Sequence, residues 1–160
     1  IKLNPNYPWT HYNLGKALSF AGMNEEAISH YKMAIKHKPD YAKAYNNIGT
    51  ILSTVGKNEE AISYYRMAVK FKPDFAPAHS NLGNALSSKR KWEEAIAHYR
   101  MATKLEPGFA EAHHNFGNAL FQKGKVKEAI DHYKTTLRIR PDFVPAQKNL
   151  EMALRVDKTK

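Results

Sequence analysis

The sequence has 160 residues, of which 42% are hydrophobic and 25% charged, as in an ordinary folded protein. It contains no cysteine, which excludes a disulfide framework and thiolate chemistry. The net charge is +10, which favours acidic partners, and no apolar run is long enough to suggest a membrane-spanning helix.

The first seven residues look like the end of a helix, because Ile1 to Pro5 matches Ile35 to Pro39 in type and spacing. We therefore expect the sequence to begin inside a longer helical array. A stacking surface left open at this end could be covered by another copy, so self-association is one predicted interaction.

A period of 34 residues runs through the rest of the chain and is the main signal in it. Five columns keep this step: Pro5, Pro39, Pro73, Pro107 and Pro141; Gly15, Gly49, Gly83 and Gly117; Leu18, Leu52, Leu86 and Leu120; Ala27, Ala61, Ala95 and Ala129; Tyr31, Tyr65, Tyr99 and Tyr133.

Each period predicts two helices. Between residues 42 and 72, apolar residues spaced three or four apart predict one helix up to Val55 and a second from Ala61. Pro73 ends the second helix, and Asp74 can cap the next. The unit is therefore a helical hairpin.

These motifs resemble the tetratricopeptide repeat: Asn-Ile/Leu/Phe-Gly, then Leu, Gly-Lys, Glu-Ala-Ile, Tyr, Ala and Pro. The resemblance implies an all-α fold, a right-handed α-solenoid of four helical hairpins plus a C-terminal capping helix. The implied boundaries are the end of a preceding repeat at 1–7, repeats at 8–41, 42–75, 76–109 and 110–143, and a capping helix and tail at 144–160. We expect this tail to fray from Asp157.

Two columns carry structural predictions. A mid-helix glycine costs about 1 kcal/mol relative to alanine, so the column at Gly15 is expected to let the second helix approach, opposite the alanine column. The tyrosine column is expected to fill the space between neighbouring repeats. The hairpin turn has Gly22, Gly56 and Gly124 but Arg90, which would be strained if that position is left-handed.

No catalytic or metal site is predicted. The phosphate-binding, dinucleotide-binding and nucleophile-elbow motifs are absent. Acidic pairs such as Glu59-Glu60 stand where second helices begin, a position that suits the helix dipole. His11, His79 and His113 share one repeat position but lie on different repeats, too far apart for one metal ion. We predict a non-enzymatic protein without cofactor or metal.

The first helices carry the predicted binding face. A column of asparagines is unusual in a helix, since asparagine is a mediocre helix former, and its amide can both donate to and accept from a peptide backbone. The column is Asn13, Asn47, Asn81, Asn115 and Asn149, and its expected neighbours are Tyr12, Asn46, His114, Lys16, Asn84 and Asn118. It is similar to the asparagine ladder in the repeat arm of O-linked N-acetylglucosamine transferases. The alternative is that these amides only help helices pack.

Positive charge lies on the second helices, in two columns that we call the basic stripe: Lys32, Arg66, Arg100 and Lys134; Lys36, Lys70, Lys104 and Arg138. A solvated outer face and a surface for an acidic protein, lipid headgroups or nucleic acid are both open. Base-stacking aromatics are not evident beside these cations, which disfavours nucleic acid.

The predicted function is a scaffold that binds an extended peptide or protein segment in a concave groove. The alternatives are the substrate-recognition arm of a larger, glycosyltransferase-like enzyme and a basic surface for nucleic acid or membrane. Carboxylate clamps of chaperone cofactors use Lys and Arg where this column has Asn, so a chaperone-tail clamp is not predicted. The compartment is not predicted.

Overall fold

The structure, a computed structural model, describes residues 7–158, and this range contains nine α-helices and no strand. The helices are α1 (Pro8–Phe20), α2 (Asn24–His37), α3 (Ala42–Thr54), α4 (Asn58–Phe71), α5 (Ala76–Ser88), α6 (Trp92–Leu105), α7 (Ala110–Gln122), α8 (Val126–Ile139) and α9 (Val144–Lys158). The predicted all-α helical repeat fold is confirmed. Residues 1–6 of the predicted preceding helix end lie outside the described residues.

Residue contacts divide the chain into two compact parts, Ile1–Asn81 and Leu82–Lys160, and the boundary falls within α5. In the first part α1 packs on α2, α2 on α3 and α3 on α4. In the second part α6 packs on α7, α7 on α8 and α8 on α9. Each part is therefore a stack in which a hairpin packs on its neighbour through consecutive helices.

The repeated columns form the core of both parts. In the first part, Tyr31 and Ile48 are buried together with the alanines of the repeat. In the second part, Tyr133 and Phe116 occupy the same repeat positions and are also buried. Alanine lets helices approach closely and the larger residues fill the remaining space, so the 34-residue pattern encodes packing density as well as hydrophobicity.

The tyrosines pack differently from the prediction. A Cβ atom added at Gly49 would lie 2.7 Å from Cε1 of Tyr65, and one at Gly117 would lie 2.6 Å from Cε1 of Tyr133. The ring therefore lies flush against the glycine of its own repeat, rather than only between repeats. Glycine is required because any side chain would occupy the volume of the ring.

The helices begin without the side-chain cap that we expected of Asp74. The residue that precedes α5 is Phe75, whose N–H donates to the carbonyl of Lys72 at 3.2 Å and closes a turn at Pro73 and Asp74. Asp74 instead lies 3.4 Å from the Lys72 ammonium. Phe75, not Asp74, therefore stands at the capping position of α5, so the prediction for Asp74 was wrong.

The hairpin turn is left-handed at the predicted position. Gly22, Gly56 and Gly124 have φ values of 78°, 79° and 74°, and Arg90 has a φ of 57°. This confirms that an arginine occupies a conformation that L side chains rarely adopt.

At the other end, α9 continues to Lys158, past the point where fraying was expected. Val156 and Asp157 are still half-buried, which explains the extra residues of helix. No helix within residues 7–158 has the length and apolar character needed to cross a membrane.

Candidate functional site

The asparagine column lies on the first helix of each hairpin and on α9, and all five of its residues are half-buried. Half-burial means that each amide lies between the packed interior of the helical stack and the solvent. An amide in this position needs hydrogen-bond partners, because burying it unpaired would cost free energy.

In the first part of the chain, the amide nitrogens of the column bond to the preceding repeat. Asn47 Nδ2 donates to the hydroxyl of Tyr31 at 3.2 Å and, more weakly, to that of Tyr12 at 3.5 Å. Asn81 Nδ2 donates to Oδ1 of Asn46 at 3.0 Å. The structure thus brings Tyr12 and Asn46, both named from the sequence, directly against the column.

The second part repeats this arrangement with different partners. Asn115 Nδ2 donates to Oδ1 of Asn84 at 2.9 Å, and Asn149 Nδ2 donates to Oδ1 of Asn118 at 2.8 Å. Asn149 Nδ2 also lies 3.1 Å from Nε2 of His114. These bonds join neighbouring hairpins, so the amides have a packing role through their nitrogen atoms, one of the two roles that the sequence left open.

Buried tyrosines complete the network. Tyr99 donates its hydroxyl proton to Asn84 Oδ1 at 2.8 Å, and Tyr133 donates to Asn118 Oδ1 at 2.9 Å. Burial raises the pKa of each phenol to about 12, so both remain donors near neutral pH. The amide oxygens of these two asparagines therefore accept from a tyrosine and from the next asparagine at once.

Cavities open against the asparagine column in both parts. In the second part, a cavity of about 590 Å³ is bordered by Asn115, Asn118 and Asn149. In the first part, a cavity of about 330 Å³ is bordered by Lys16 and Asn47. Both volumes lie within the range of pockets that hold small ligands.

Three residues around the larger cavity were missed by the sequence reasoning: Trp92, Phe121 and Met152. Phe121 and Met152 stand where all earlier repeats have polar residues, and Trp92 stands where the first two repeats have asparagine, which is a signal that the sequence does contain. Their convergence on one cavity depends on the stacking of hairpins and becomes visible only in the fold.

The basic stripe lies on α2, α4, α6 and α8, and all eight of its residues are exposed. Its charges are therefore available to solvent and counter-ions. The cavity bordered by Asn115 and Asn149 has no member of the stripe among its lining residues. The basic stripe and this cavity are thus separate features of the surface in the second part of the chain.

The histidines form pairs that the sequence did not predict. Nδ1 of His11 lies 3.1 Å from Nδ1 of His30, and Nδ1 of His113 lies 3.0 Å from Nδ1 of His132. Each pair joins the first and second helix of one hairpin. Among residues 7–158 no group of three or more His, Asp or Glu side chains is placed to hold a metal ion.

The repeats match a known family. Residues 8–41, 42–75 and 110–143 match the model of the tetratricopeptide repeat, and residues 85–124 match a second TPR-repeat model. The chain belongs to the tetratricopeptide-repeat family. TPR domains are typically protein–protein interaction modules rather than enzymes. A comparison with curated proteins finds no match.

Solved TPR structures share this fold. MamA is 24% identical with a TM-score of 0.84, and the match covers 92% of this chain and 81% of MamA. YrrB, described as a TPR protein with an unusual peptide-binding site, is 20% identical with a TM-score of 0.85, covering 98% of this chain and 81% of YrrB.

The first TPR of Spaghetti (RPAP3), bound to the HSP90 peptide SRMEEVD, is 23% identical with a TM-score of 0.71. That match covers 72% of this chain and 91% of the RPAP3 chain. Identities at this level establish the shared fold alone.

Proposed function

We propose that this TPR chain binds an extended peptide or protein segment along the face that carries the asparagine column. The observation that supports the proposal is that cavities in each part of the chain open against the column. A peptide laid on such a face brings its backbone N–H and C=O groups to half-buried amides, which recognise backbone whatever the side chains are.

The hydrogen bonds suggest how the amides divide their work. Asn47, Asn81 and Asn149 use their nitrogen atoms in the bonds that join neighbouring hairpins. The amide oxygen is then the atom that would accept from a peptide N–H. Because the nitrogen is already held, the oxygen is fixed in place before the peptide arrives, which lowers the entropic cost of binding.

Solved TPR structures with the same fold give additional support, since the RPAP3 repeat was solved with a bound peptide. Peptide binding is thus a function that this fold can perform. The partner of that protein is not carried over to this chain, because a likeness at 23% identity establishes the fold alone.

The experiment selects peptides from a randomised 12-residue display library on the wild-type protein and measures their dissociation constants. The first variant is Asn47→Ala/Asn81→Ala/Asn115→Ala. The control is Arg66→Ala/Arg100→Ala/Lys134→Ala, which removes three side chains of the basic stripe. Circular dichroism and thermal melts establish that each variant is folded at the assay temperature, because the amides also join hairpins.

We expect the asparagine variant to bind selected peptides at least about tenfold more weakly, since each lost hydrogen bond is worth roughly 1 kcal/mol. The stripe variant should bind within about twofold of wild type. Unchanged affinity in the asparagine variant would overturn the proposal. A loss confined to the stripe variant would instead favour an electrostatic surface, as would binding that vanishes between 50 and about 200 mM salt.

A further inference from the structure

Three large apolar residues interrupt the 34-residue pattern. Trp92 stands where the first two repeats have Asn24 and Asn58. Phe121 stands where the three preceding repeats have serine, at Ser19, Ser53 and Ser87. Met152 stands where the preceding repeats have polar residues, at Lys16, Thr50, Asn84 and Asn118.

All three border the same cavity, the one of about 590 Å³ within residues 82–158. They come from α6, α7 and α9, so only the stacking of these hairpins brings them together. We call this group, Trp92, Phe121 and Met152, the Trp92 pocket. Three unrelated substitutions would not be expected to place large apolar side chains around the same cavity.

Burial distinguishes this pocket from the core. Val126 occupies the same repeat position as Trp92 in the fourth repeat and is only 7% exposed. Trp92 and Phe121 are half-buried, and Met152 is 45% exposed. These side chains therefore contribute apolar surface to an opening, where a monomer gains little from them.

The pocket is also free of charge. Its other lining residues are amides, hydroxyls and one alanine, for example Ser87 and Gln122. A charged group placed here would lose solvent without gaining a counter-ion, which is costly. An apolar side chain would instead contact Trp92 and Phe121, and an aromatic ring would gain further from ring–ring packing.

We propose that the Trp92 pocket is the specificity pocket of the peptide-binding face and takes one large uncharged side chain, aromatic by preference. This inference rests on the proposed function: the asparagine column holds the peptide backbone, and the pocket selects one side chain. Acidic segments, which the net charge of +10 would attract, are not its ligands.

The test uses a triple variant that returns each position to a residue found elsewhere in this chain, Trp92→Asn/Phe121→Ser/Met152→Asn. Helices α2 and α4 already begin with asparagine, so the substitution at Trp92 is compatible with a helix start. The randomised 12-residue library is selected on wild type and on this variant, and enrichment is read at every peptide position.

We expect wild-type selection to enrich Phe, Tyr, Trp or Leu at one position, and replacing that residue by Ala to weaken binding about tenfold. The triple variant should still select peptides but lose the preference at that position. A preference that survives in the triple variant, or an enrichment of Asp and Glu at that peptide position, would contradict the role of the Trp92 pocket in specificity. Either result would leave the proposed function intact. Failure of the wild type to select any peptide would overturn both.

A direct readout comes from the two tryptophans of the chain. In a Trp9→Phe background, Trp92 is the single tryptophan, so its fluorescence reports on the pocket alone. A selected peptide should shift its emission to shorter wavelength as the indole loses water, and the Ala-substituted peptide should not. Binding without any change in emission would count against the pocket.

Discussion

At the scale of single residues, Arg90 is the clearest conflict between sequence and backbone. Its φ of 57° lies in the left-handed region, where a non-glycine residue costs roughly 1–2 kcal/mol. Glycine would remove that strain but loses more conformational entropy on folding, which offsets part of the gain. We expect Arg90→Gly to raise the melting temperature by about 2–4 °C, measured by circular dichroism.

The matched control is Gly56→Arg, which creates the same conflict at the equivalent position of the second repeat, where φ is 79°. It has open space around it, because an added Cβ at Gly56 meets nothing within 4 Å. The control should therefore report backbone strain alone and lower the melting temperature. A decrease for Arg90→Gly would show that the arginine side chain contributes more than its backbone costs.

At the scale of elements, the contact of glycine with tyrosine fixes the distance between the two helices of a hairpin. A Cβ at Gly49 would lie 2.7 Å from the ring of Tyr65, which is itself only 3% exposed. Alanine has the better helix propensity by about 1 kcal/mol, but overpacking costs roughly 1–3 kcal/mol. We expect Gly49→Ala to lower the free energy of unfolding by about 1–2 kcal/mol in urea titrations.

Two further variants separate packing from propensity. Gly108→Ala adds the same methyl group where nothing lies within 4 Å, and its stability should stay close to wild type. Adding Tyr65→Leu to Gly49→Ala should recover part of the loss, so that the two substitutions are not additive. If Gly49→Ala proves as stable as wild type, the close approach is not what keeps glycine at this position.

The helices and the binding face differ in how far the sequence could predict them. Mid-helix Gly, Ala and Tyr recur in phase, and this local signal was enough to predict paired helices. The turn glycines Gly22, Gly56 and Gly124 indicated in the same way that Arg90 would be strained. The hydrogen bonds of Asn47 could not be predicted in the same way. Its partners Tyr31 and Tyr12 are 16 and 35 residues away, and their distance depends on how one hairpin stacks on another.

At the scale of the whole molecule, histidine links stability to pH. Burial lowers the pKa of His79, His113 and His114, and burial together with the charge of His113 lowers that of His132 to about 4. Arg100 lowers the His132 pKa further, while Asp131 and Glu128 raise it. Below about pH 6.5, the ordinary pKa of histidine, these side chains are therefore protonated in the unfolded chain while they stay neutral in the folded state.

The sign of the effect follows from linkage. Above about pH 6.5 these histidines are neutral in both the folded and the unfolded state, so their protonation does not change the free energy of unfolding. Stability is lost as the pH falls from there toward the pKa values of the folded state. Each proton also adds to a net charge that is already +10, which increases repulsion in the compact state. We expect the free energy of unfolding to fall by on the order of 1 kcal/mol between pH 7 and pH 5, after allowance for solvent screening.

The chain supplies a control for the His113–His132 pair. At the same positions the second repeat has Tyr45 and Tyr64, whose ring centroids are 6.3 Å apart. The double variant His113→Tyr/His132→Tyr should therefore lose less stability between pH 7 and pH 5 than the wild type, as measured by urea unfolding at each pH. His79 and His114 would still titrate, so a reduced slope is expected rather than none. The pair is expected to contribute because its Nδ1–Nδ1 contact at 3.0 Å requires one ring to stay neutral. An identical slope in the wild type and the double variant would mean that this pair does not set the pH dependence of stability.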